Sequence, residues 1–323
     1  MELFQNILLV VAGLVALYFG AEWLVKGASE IAIKIGISPL VVGLTVVAFG
    51  TSAPELLVCL EANADNQPDV ALGNIIGSNI CNIALILGVA ALMKPIDIHR
   101  QIIRKEMPML IVVTLGFIAM LWNGSVSQLE GGLLFLAVVI YVVVSIVQSR
   151  KEQGQDNYGE FTAEDVSAVQ KTGAKEMMLS VGCILIGLIV LKFGSSWLVD
   201  GGGFVARSIG VDEAIIALLL FAFGTSLPEL ATSIVAVRKG EGDIITGNAI
   251  GSCIFNILAV IGITAMVKPI DEGEIELFDK LVMLGVTVGI FLFMWSRMHL
   301  NRIEGAILVM VYVAYCVIRY AIG

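Results

Sequence analysis

Residues 48–56 read AFGTSAPEL, and residues 222–230, which follow 174 positions later, read AFGTSLPEL. Each copy places a glycine, two hydroxyl residues, a proline and a carboxylate inside a stretch apolar enough to span a bilayer. A carboxylate near the bilayer centre costs about 2.5–3.5 kcal/mol on insertion scales, so an intramembrane Glu marks a functional site by default. Glu55 and Glu229 therefore predict one cation site shared between two halves of the chain.

The composition places the chain among polytopic membrane proteins. Of its 323 residues, 58% are hydrophobic and 15% are charged, and the mean hydropathy is +0.94. The net charge of −9 is spread over short loops, and nothing in it indicates a nucleic-acid partner. Apolar runs long enough to cross a bilayer predict ten spans, near 5–25, 38–62, 70–92, 107–123, 130–147, 177–198, 212–236, 244–267, 280–296 and 303–321.

The repeat extends well beyond the two motifs. At the same offset of 174, Trp23-Leu24-Val25 matches Trp197-Leu198-Val199, and Lys94-Pro95-Ile96-Asp97 matches Lys268-Pro269-Ile270-Asp271. Each half holds five predicted spans, and an odd number turns the second half upside down relative to the first. Inverted repeats with the binding site at their interface are a recurring transporter architecture. The predicted fold is an all-α polytopic membrane protein with ten transmembrane helices in two inverted five-helix repeats.

Three units follow from this organisation. Residues 1–147 form the first repeat, 148–176 a polar linker and 177–323 the second repeat. Most of the 19 Lys and Arg residues fall in loops after the odd-numbered spans, and such loops are cytoplasmic by the positive-inside rule. We therefore expect a cytoplasmic linker, both termini outside, and a multi-pass location in the plasma or inner membrane.

The proline of each motif predicts a local break in its helix. Pro54 has no N–H for the carbonyl of Gly50, and its ring pushes that carbonyl aside. Loosened backbone at membrane depth is tolerated where it lines a cavity or is covered by protein. Free carbonyls, the hydroxyls of Thr51 and Ser52 and the Glu55 carboxylate make an all-oxygen lining, which suits hard cations such as Ca²⁺ and Na⁺. The same reasoning applies around Pro228, Gly224, Thr225, Ser226 and Glu229.

A second repeated motif lies on the third and eighth predicted spans. Residues 73–82 read GNIIGSNICN and residues 247–256 read GNAIGSCIFN. The paired glycines permit close helix packing, which is an alternative reason for the motif. Ser78 and Asn82 are four residues apart, as are Ser252 and Asn256, so each pair shares a helix face and offers neutral oxygens to one cavity.

Together the two motifs, present twice in inverted halves, resemble the α-repeats of the Na⁺/Ca²⁺ exchangers of the calcium/cation antiporter superfamily. The resemblance covers nearly the whole chain outside the linker. It implies that Glu55 and Glu229 ligate Ca²⁺ with the main-chain oxygens of Thr51 and Thr225. It also implies flanking Na⁺ sites and a middle position, formed by the Ala48 and Ala222 carbonyls, the Ser52, Ser78, Ser226 and Ser252 hydroxyls, and Asn82 and Asn256.

The chain departs from some members of this family at the middle position, where they carry an acid. With Asn82 and Asn256 there, the fixed charge of the site is −2, which one Ca²⁺ or two Na⁺ would match. The short linker lacks the calcium-sensing domains of the animal exchangers, so the resemblance is to prokaryotic members.

The resulting prediction is a secondary antiporter that exchanges Na⁺ for Ca²⁺ by alternating access. Ca²⁺ and Na⁺ would be its substrates and the lipid bilayer its environment, with no cofactor and no obligatory protein partner. Ca²⁺/H⁺ exchange is the nearest alternative, because empty buried carboxylates could take up protons. A channel is disfavoured because filters usually lie on an axis between chains. An enzyme is disfavoured because the sequence has no phosphate loop and no nucleophile elbow. The loop acids Asp65, Asp69, Glu241 and Asp243 are interpreted as solvated charges, with a funnel that collects ions as the alternative.

Overall fold

The structure, a computed structural model, describes residues 2–152, 174–210, 222–273 and 275–322. Most of the predicted linker and the first half of the seventh predicted span (residues 211–221) lie outside the described residues. In chain order the helices are α1 Glu2–Ile35, α2 Pro39–Thr51, α3 Ala53–Ala64, α4 Pro68–Met93, α5 Met107–Leu121, α6 Gln128–Glu152, α7 Ala174–Ser208, α8 Ala222–Gly224, α9 Leu227–Lys239, α10 Gly242–Val267, α11 Leu277–Arg297 and α12 Arg302–Ile322.

Within the described residues, seven helices are long and apolar enough to cross a bilayer. The pair α2 and α3, bent by 41° at their junction, raises the number to eight if it is one span. Of the other predicted spans, α5 has 15 residues, and the span containing α8 and α9 is described only in part. The fold is thus an all-helical, multi-pass membrane protein, and the total of ten spans stays a prediction.

Two helices are much longer than their predicted spans. Helix α1 covers 34 residues where hydropathy predicts 5–25, and α7 covers 35 residues where it predicts 177–198. The difference arises because a hydropathy window ends at charged residues such as Lys26, whereas a helix accommodates them on an exposed face.

Helices α1 and α7 pack against each other along a seam of glycines spaced seven residues apart. Gly13, Gly20 and Gly27 on α1 face α7 so closely that a Cβ on Gly13 would lie 2.8 Å from the backbone oxygen of Gly194. Gly187 on α7 comes equally close to α1, since its Cβ would lie 2.8 Å from the Gly20 oxygen. The two backbones are therefore in direct contact, as small residues permit between membrane helices.

Helices α4 and α10 lie at the centre of the protein. Buried residues make up 78% of the apolar window of α4 and 83% of that of α10, compared with 17% for α12. Both central helices contain a π-helical segment, Cys81–Ile86 in α4 and Asn256–Ile261 in α10. Such segments are rare and are frequent at functional sites, and these two begin at or beside the asparagines of the second motif.

Peripheral contacts repeat at the offset of 174. Strand Ile96–Asp97 pairs with His299–Leu300, and strand Ser125–Val126 pairs with Ile270–Asp271. Each pairing is the counterpart of the other at that offset. Two helix starts also correspond: Glu130 accepts from the Ser127 N–H over 2.8 Å, and Glu304 accepts from the Asn301 N–H over 2.8 Å. Acids at these helix N-termini satisfy free backbone donors, as capping boxes do.

Candidate functional site

Each AFGTS-x-PEL motif forms a helix break with its carboxylate just beyond the break. Ser52 separates α2 from α3 with φ −82° and ψ 3°, and Ser226 precedes α9 with φ −88° and ψ 4°. Pro54 and Pro228 lie in the first turn of the helix that follows, where a missing N–H is tolerated. Glu55 and Glu229 follow them in that turn, where the N-terminal dipole favours negative charge.

The two breaks differ in their backbone hydrogen bonds. The Ser52 N–H donates to the Ala48 carbonyl over 3.0 Å, and Thr51 Oγ1 lies 3.3 Å from the same carbonyl. The Ser226 N–H donates to the Phe223 carbonyl over 3.1 Å. The carbonyl of the predicted Na⁺ ligand Ala48 is thus engaged within its own helix.

The Gly224 carbonyl, which Pro228 deprives of an intrahelical donor, has a partner on α7. Ser195 Oγ donates to this carbonyl over 2.5 Å. The residue that corresponds to Ser195 in the first half is Ala21, which has no hydroxyl. The two breaks are therefore held differently by the long helices beside them.

Hydroxyls of one half meet hydroxyls and amides of the other, and one of them also approaches a carboxylate of its own half. Ser78 Oγ lies 3.5 Å from Glu55 Oε1 and 3.4 Å from Thr225 Oγ1. Thr225 Oγ1 in turn lies 3.2 Å from Asn74 Oδ1. On the opposite side, Thr51 Oγ1 lies 3.2 Å from Asn248 Oδ1 and 3.5 Å from Ser252 Oγ.

Many polar atoms around this cluster are buried without a hydrogen bond. Glu55 and Glu229 are both 0% exposed. Buried polar groups are normally hydrogen-bonded, and each exception needs an explanation. Among the described residues, the buried side-chain atoms without a hydrogen-bond partner are Ser52 Oγ, Glu55 Oε2, Asn82 Oδ1 and Nδ2, Ser226 Oγ, both Glu229 oxygens, Thr232 Oγ1, Ser233 Oγ, Asn248 Nδ2, Asn256 Oδ1 and Thr264 Oγ1.

The chemistry of this donor set suits a hard cation. The described residues contain no group of three His, Cys, Asp or Glu side chains that could hold a metal. Two carboxylates supplemented by hydroxyl, amide and main-chain oxygens form an oxygen-only set, which Ca²⁺ prefers. The five cysteines are free thiols, as expected for packing residues.

Two site residues were missed by sequence reasoning. Asn74 and Asn248 belong to the quoted GN motif but had no assigned role, although both approach the threonines of the opposite half. The signal was present, because Asn74, Ser78 and Asn82 recur every four residues and so share one helix face. The predicted site residue Asn256 donates through Nδ2 to Asn79 Oδ1 over 3.0 Å. Only its Oδ1 atom therefore remains without a hydrogen-bond partner.

Access to the site differs between its two sides. A cavity of about 280 Å³ lies between α7 and α3, and Pro54 and Thr225 are among its lining residues. On the other side, α1 packs against α9, where Lys239 forms an ion pair with Glu22 over 2.8 Å. Ser29 also donates to Glu241 over 3.0 Å.

The expectation that Glu241 and Asp243 are solvated loop charges is wrong. Asp243 lies in the first turn of α10 and is 8% exposed, and Glu241 is partly buried against Ser29. The loop before α10 is only two residues long, Gly240 and Glu241, so both acids lie where α9 and α10 meet and not in an open loop.

Comparison with known proteins matches most of the chain to one family. The sequence model described as sodium/calcium exchanger protein matches residues 5–147 and 179–321. The chain belongs to the sodium/calcium exchanger family. The two matched segments are the two halves that carry the repeated motifs.

Relatives of this exchanger-family member include bacterial and archaeal proteins. Inner membrane protein YrbG of Escherichia coli is 39% identical over 90% of this chain and 88% of its own length. Sodium/calcium exchanger MaX1 of Methanosarcina acetivorans is 32% identical over 98% of this chain and 99% of its own length. A solved structure of the sodium-calcium exchanger NCX_Mj, soaked with Na⁺ and Sr²⁺, superposes with a TM-score of 0.82, at 27% identity and with 97% of each chain covered.

These similarities establish the general class of the protein. It is a prokaryotic-type member of the family, a cation antiporter of the sodium/calcium exchanger type, and its family is one of transporters.

Proposed function

We propose that the protein exchanges Na⁺ for Ca²⁺ at the site built on Glu55 and Glu229. The observation that carries the proposal is the pair of fully buried carboxylates amid buried oxygens that lack protein partners. An uncompensated buried carboxylate is costly, so a bound cation or a proton must neutralise it. Because one set of oxygens serves both ions, Na⁺ and Ca²⁺ would occupy it in turn.

The proposed ligand roles are those that the resemblance to the exchanger family implies for the matching positions of this chain. Ca²⁺ would bind Glu55 and Glu229 with the main-chain oxygens of Thr51 and Thr225. The Na⁺ ligands and the residues of the middle position would be the Ala48 and Ala222 carbonyls, the hydroxyls of Ser52, Ser78, Ser226 and Ser252, and the amides of Asn82 and Asn256. The fixed charge of −2 balances one Ca²⁺ or two Na⁺, so exchange at these numbers would be electroneutral.

The proposed architecture has ten spans in two inverted five-helix repeats, 1–147 and 177–323, joined by the cytoplasmic linker 148–176. Strand pairs, glycine contacts and helix starts that recur at the offset of 174 support it. With both termini outside, the cavity between α7 and α3 opens to the outer face and α1 closes the cytoplasmic face. The membrane would be the plasma or inner membrane.

The test is uptake of radioactive ⁴⁵Ca²⁺ into proteoliposomes loaded with Na⁺ and diluted into choline at fixed pH. We expect uptake that requires internal Na⁺ and is abolished by Glu55→Gln. The conservative change Glu61→Gln, on the exposed surface of the same helix α3, should leave uptake unchanged. Uptake that persists in Glu55→Gln would show that the ion binds elsewhere.

Ca²⁺/H⁺ exchange is the second candidate, because the same buried carboxylates could carry protons in place of Na⁺. An imposed pH gradient across vesicles free of Na⁺ separates the two functions. Uptake that follows the pH gradient and ignores Na⁺ would replace the proposal with proton coupling.

A further inference from the structure

Lys192 is a charged residue within a membrane-spanning helix, and the proposed ion ligands do not include it. It lies near the middle of α7, and its side chain is exposed. It lines the cavity of about 280 Å³ between α7 and α3, together with Pro54 and Thr225. Ionisable residues within a span usually face a water-filled cavity and mark an ion or substrate path.

The neighbours of Lys192 fix its depth in the membrane. Leu188, one turn earlier, packs on the first break, since a Cβ on Gly50 would lie 2.6 Å from its Cδ1. Ser195, one turn later, donates to the Gly224 carbonyl at the second break. Lys192 therefore lies at the level of both breaks, on the α7 wall of this cavity.

No ion pair neutralises Lys192 within the described part of the chain. Asp200 lines the same cavity but is two helical turns away, roughly 12 Å along the helix axis. Among the described residues, Lys192 is thus a positive charge on the wall of the cavity between α7 and α3.

The positive charge of Lys192 has no counterpart at the matching position of the first half. The position that corresponds to Lys192 in the first half is Tyr18, and the position that corresponds to Asp200 is Lys26. A route formed between α1 and α9 would therefore have an uncharged residue at the depth where the route between α7 and α3 has a cation.

We propose that Lys192 is a specificity-determining residue that selects against divalent cations on the route between α7 and α3. Coulomb energy is proportional to the charge of the ion, so a fixed positive charge raises the energy of Ca²⁺ twice as much as that of Na⁺. This route thus disfavours Ca²⁺ relative to Na⁺. With the proposed orientation it is the outer route, so Lys192 limits rebinding of exported Ca²⁺.

This inference rests on the proposed function, and ion binding to the purified protein tests both. Ca²⁺ and Na⁺ are titrated calorimetrically, in choline chloride of fixed ionic strength, into wild type and Lys192→Gln. Removal of the charge should tighten Na⁺ binding about threefold per ion and Ca²⁺ binding about tenfold, the square of that factor. Lys192→Arg should retain the wild-type affinities, and Lys26→Gln, which removes a lysine from the opposite long helix, should change neither.

The outcomes separate the two proposals. Equal factors for Ca²⁺ and Na⁺ in Lys192→Gln would indicate altered packing and overturn the charge mechanism. Unchanged affinities, or a Lys192→Arg variant that behaves like Lys192→Gln, would also overturn it. A wild-type protein that binds neither ion would overturn the proposed function itself, whereas normal wild-type binding with an unaltered Lys192→Gln would overturn only the role of Lys192.

Discussion

Thr51 Oγ1 lies 3.2 Å from Asn248 Oδ1, although the two residues are 197 positions apart and come from opposite halves. The counterpart pair, Thr225 Oγ1 and Asn74 Oδ1, is also 3.2 Å apart. Each break is therefore tied to a central helix of the other half by a threonine and an asparagine. Asn74 and Asn248 thus stabilise the two breaks, although neither belongs to the carboxylate pair.

The first prediction concerns this threonine–asparagine pair. Removing either partner in Thr51→Val or Asn248→Leu should weaken Ca²⁺ binding, because the break loses its support. A double-mutant cycle for Ca²⁺ binding should give a coupling of about 0.5–1.5 kcal/mol, the net value of one hydrogen bond. The pair Thr51→Val and Asn74→Leu, which are not partners, is the control, and additive effects for Thr51 and Asn248 would contradict the prediction.

The second prediction concerns the helix break at Pro54. Pro54→Ala restores an N–H that can bond to the Gly50 carbonyl and so favours a continuous helix. Ca²⁺ uptake should fall at least about tenfold, equivalent to 1.4 kcal/mol, while the protein still folds. Size-exclusion chromatography and thermal unfolding check the fold. Pro68→Ala, at the ordinary start of α4, should keep normal uptake, and a fully active Pro54→Ala would show that the break is dispensable.

The third prediction concerns Ser195 and the Gly224 carbonyl. Ser195→Ala leaves a buried carbonyl without its donor, which costs about 1–3 kcal/mol. The midpoint of thermal unfolding should fall measurably. The neighbouring Ser196 is exposed and donates to the Lys192 carbonyl within its own helix, so Ser196→Ala should have almost no effect. Equal midpoints for the two variants would show that the Ser195 bond contributes nothing.

The fourth prediction concerns removal of the transported ions. Chelation of Ca²⁺ in Na⁺-free buffer should lower the thermal midpoint, because the buried carboxylates lose their compensating charge. A ligand at one hundred times its Kd stabilises the folded state by about 2.7 kcal/mol. The double variant Glu55→Gln, Glu229→Gln should unfold at the same temperature with and without Ca²⁺. A midpoint that continues to respond to Ca²⁺ in this variant would place the stabilising ion elsewhere.

The fifth prediction concerns pH and Glu241, which lies between α9 and α10. Burial raises the pKa of its carboxyl above the ordinary value of 4.5, against the opposing effects of Ser29 and Lys239. Between 4.5 and the raised pKa, the folded protein binds more protons than the unfolded chain, so stability falls as pH rises through this window. Glu241→Gln should remove this fall, as measured by thermal unfolding from pH 4 to pH 8. A variant with the wild-type pH slope would contradict the assignment.

Much of the site could be predicted because its features are local in sequence. Pro54 predicted a helix break because a proline deprives the carbonyl four residues earlier, that of Gly50, of its donor. Glu55 predicted a site because a carboxylate within a span is costly. The repeat allowed the same reasoning at Pro228 and Glu229. The matching placement of Ser78 and Asn82 followed from helical periodicity.

The features that sequence could not supply depend on contacts between distant helices. Asp243 is buried in the first turn of α10, and its neighbours in sequence do not indicate which helices pack around that turn. The bond from Ser195 to Gly224 requires α7 to pass beside the second break. The π-helical segments of α4 and α10 were also not predicted, because one wider turn leaves the apolar composition of a buried span unchanged.

The glycine seam between α1 and α7 has a consequence for energy conservation. The two backbones touch at Gly13, Gly20 and Gly27, so these helices cannot separate without exposing bare backbone to lipid. They therefore form one rigid pair. Within the described residues, this pair presents packed α1 on one side of the site and a cavity beside α7 on the other. A protein that opens to one side at a time couples the two ion gradients, because an ion cannot cross without the conformational change that carries its counter-ion.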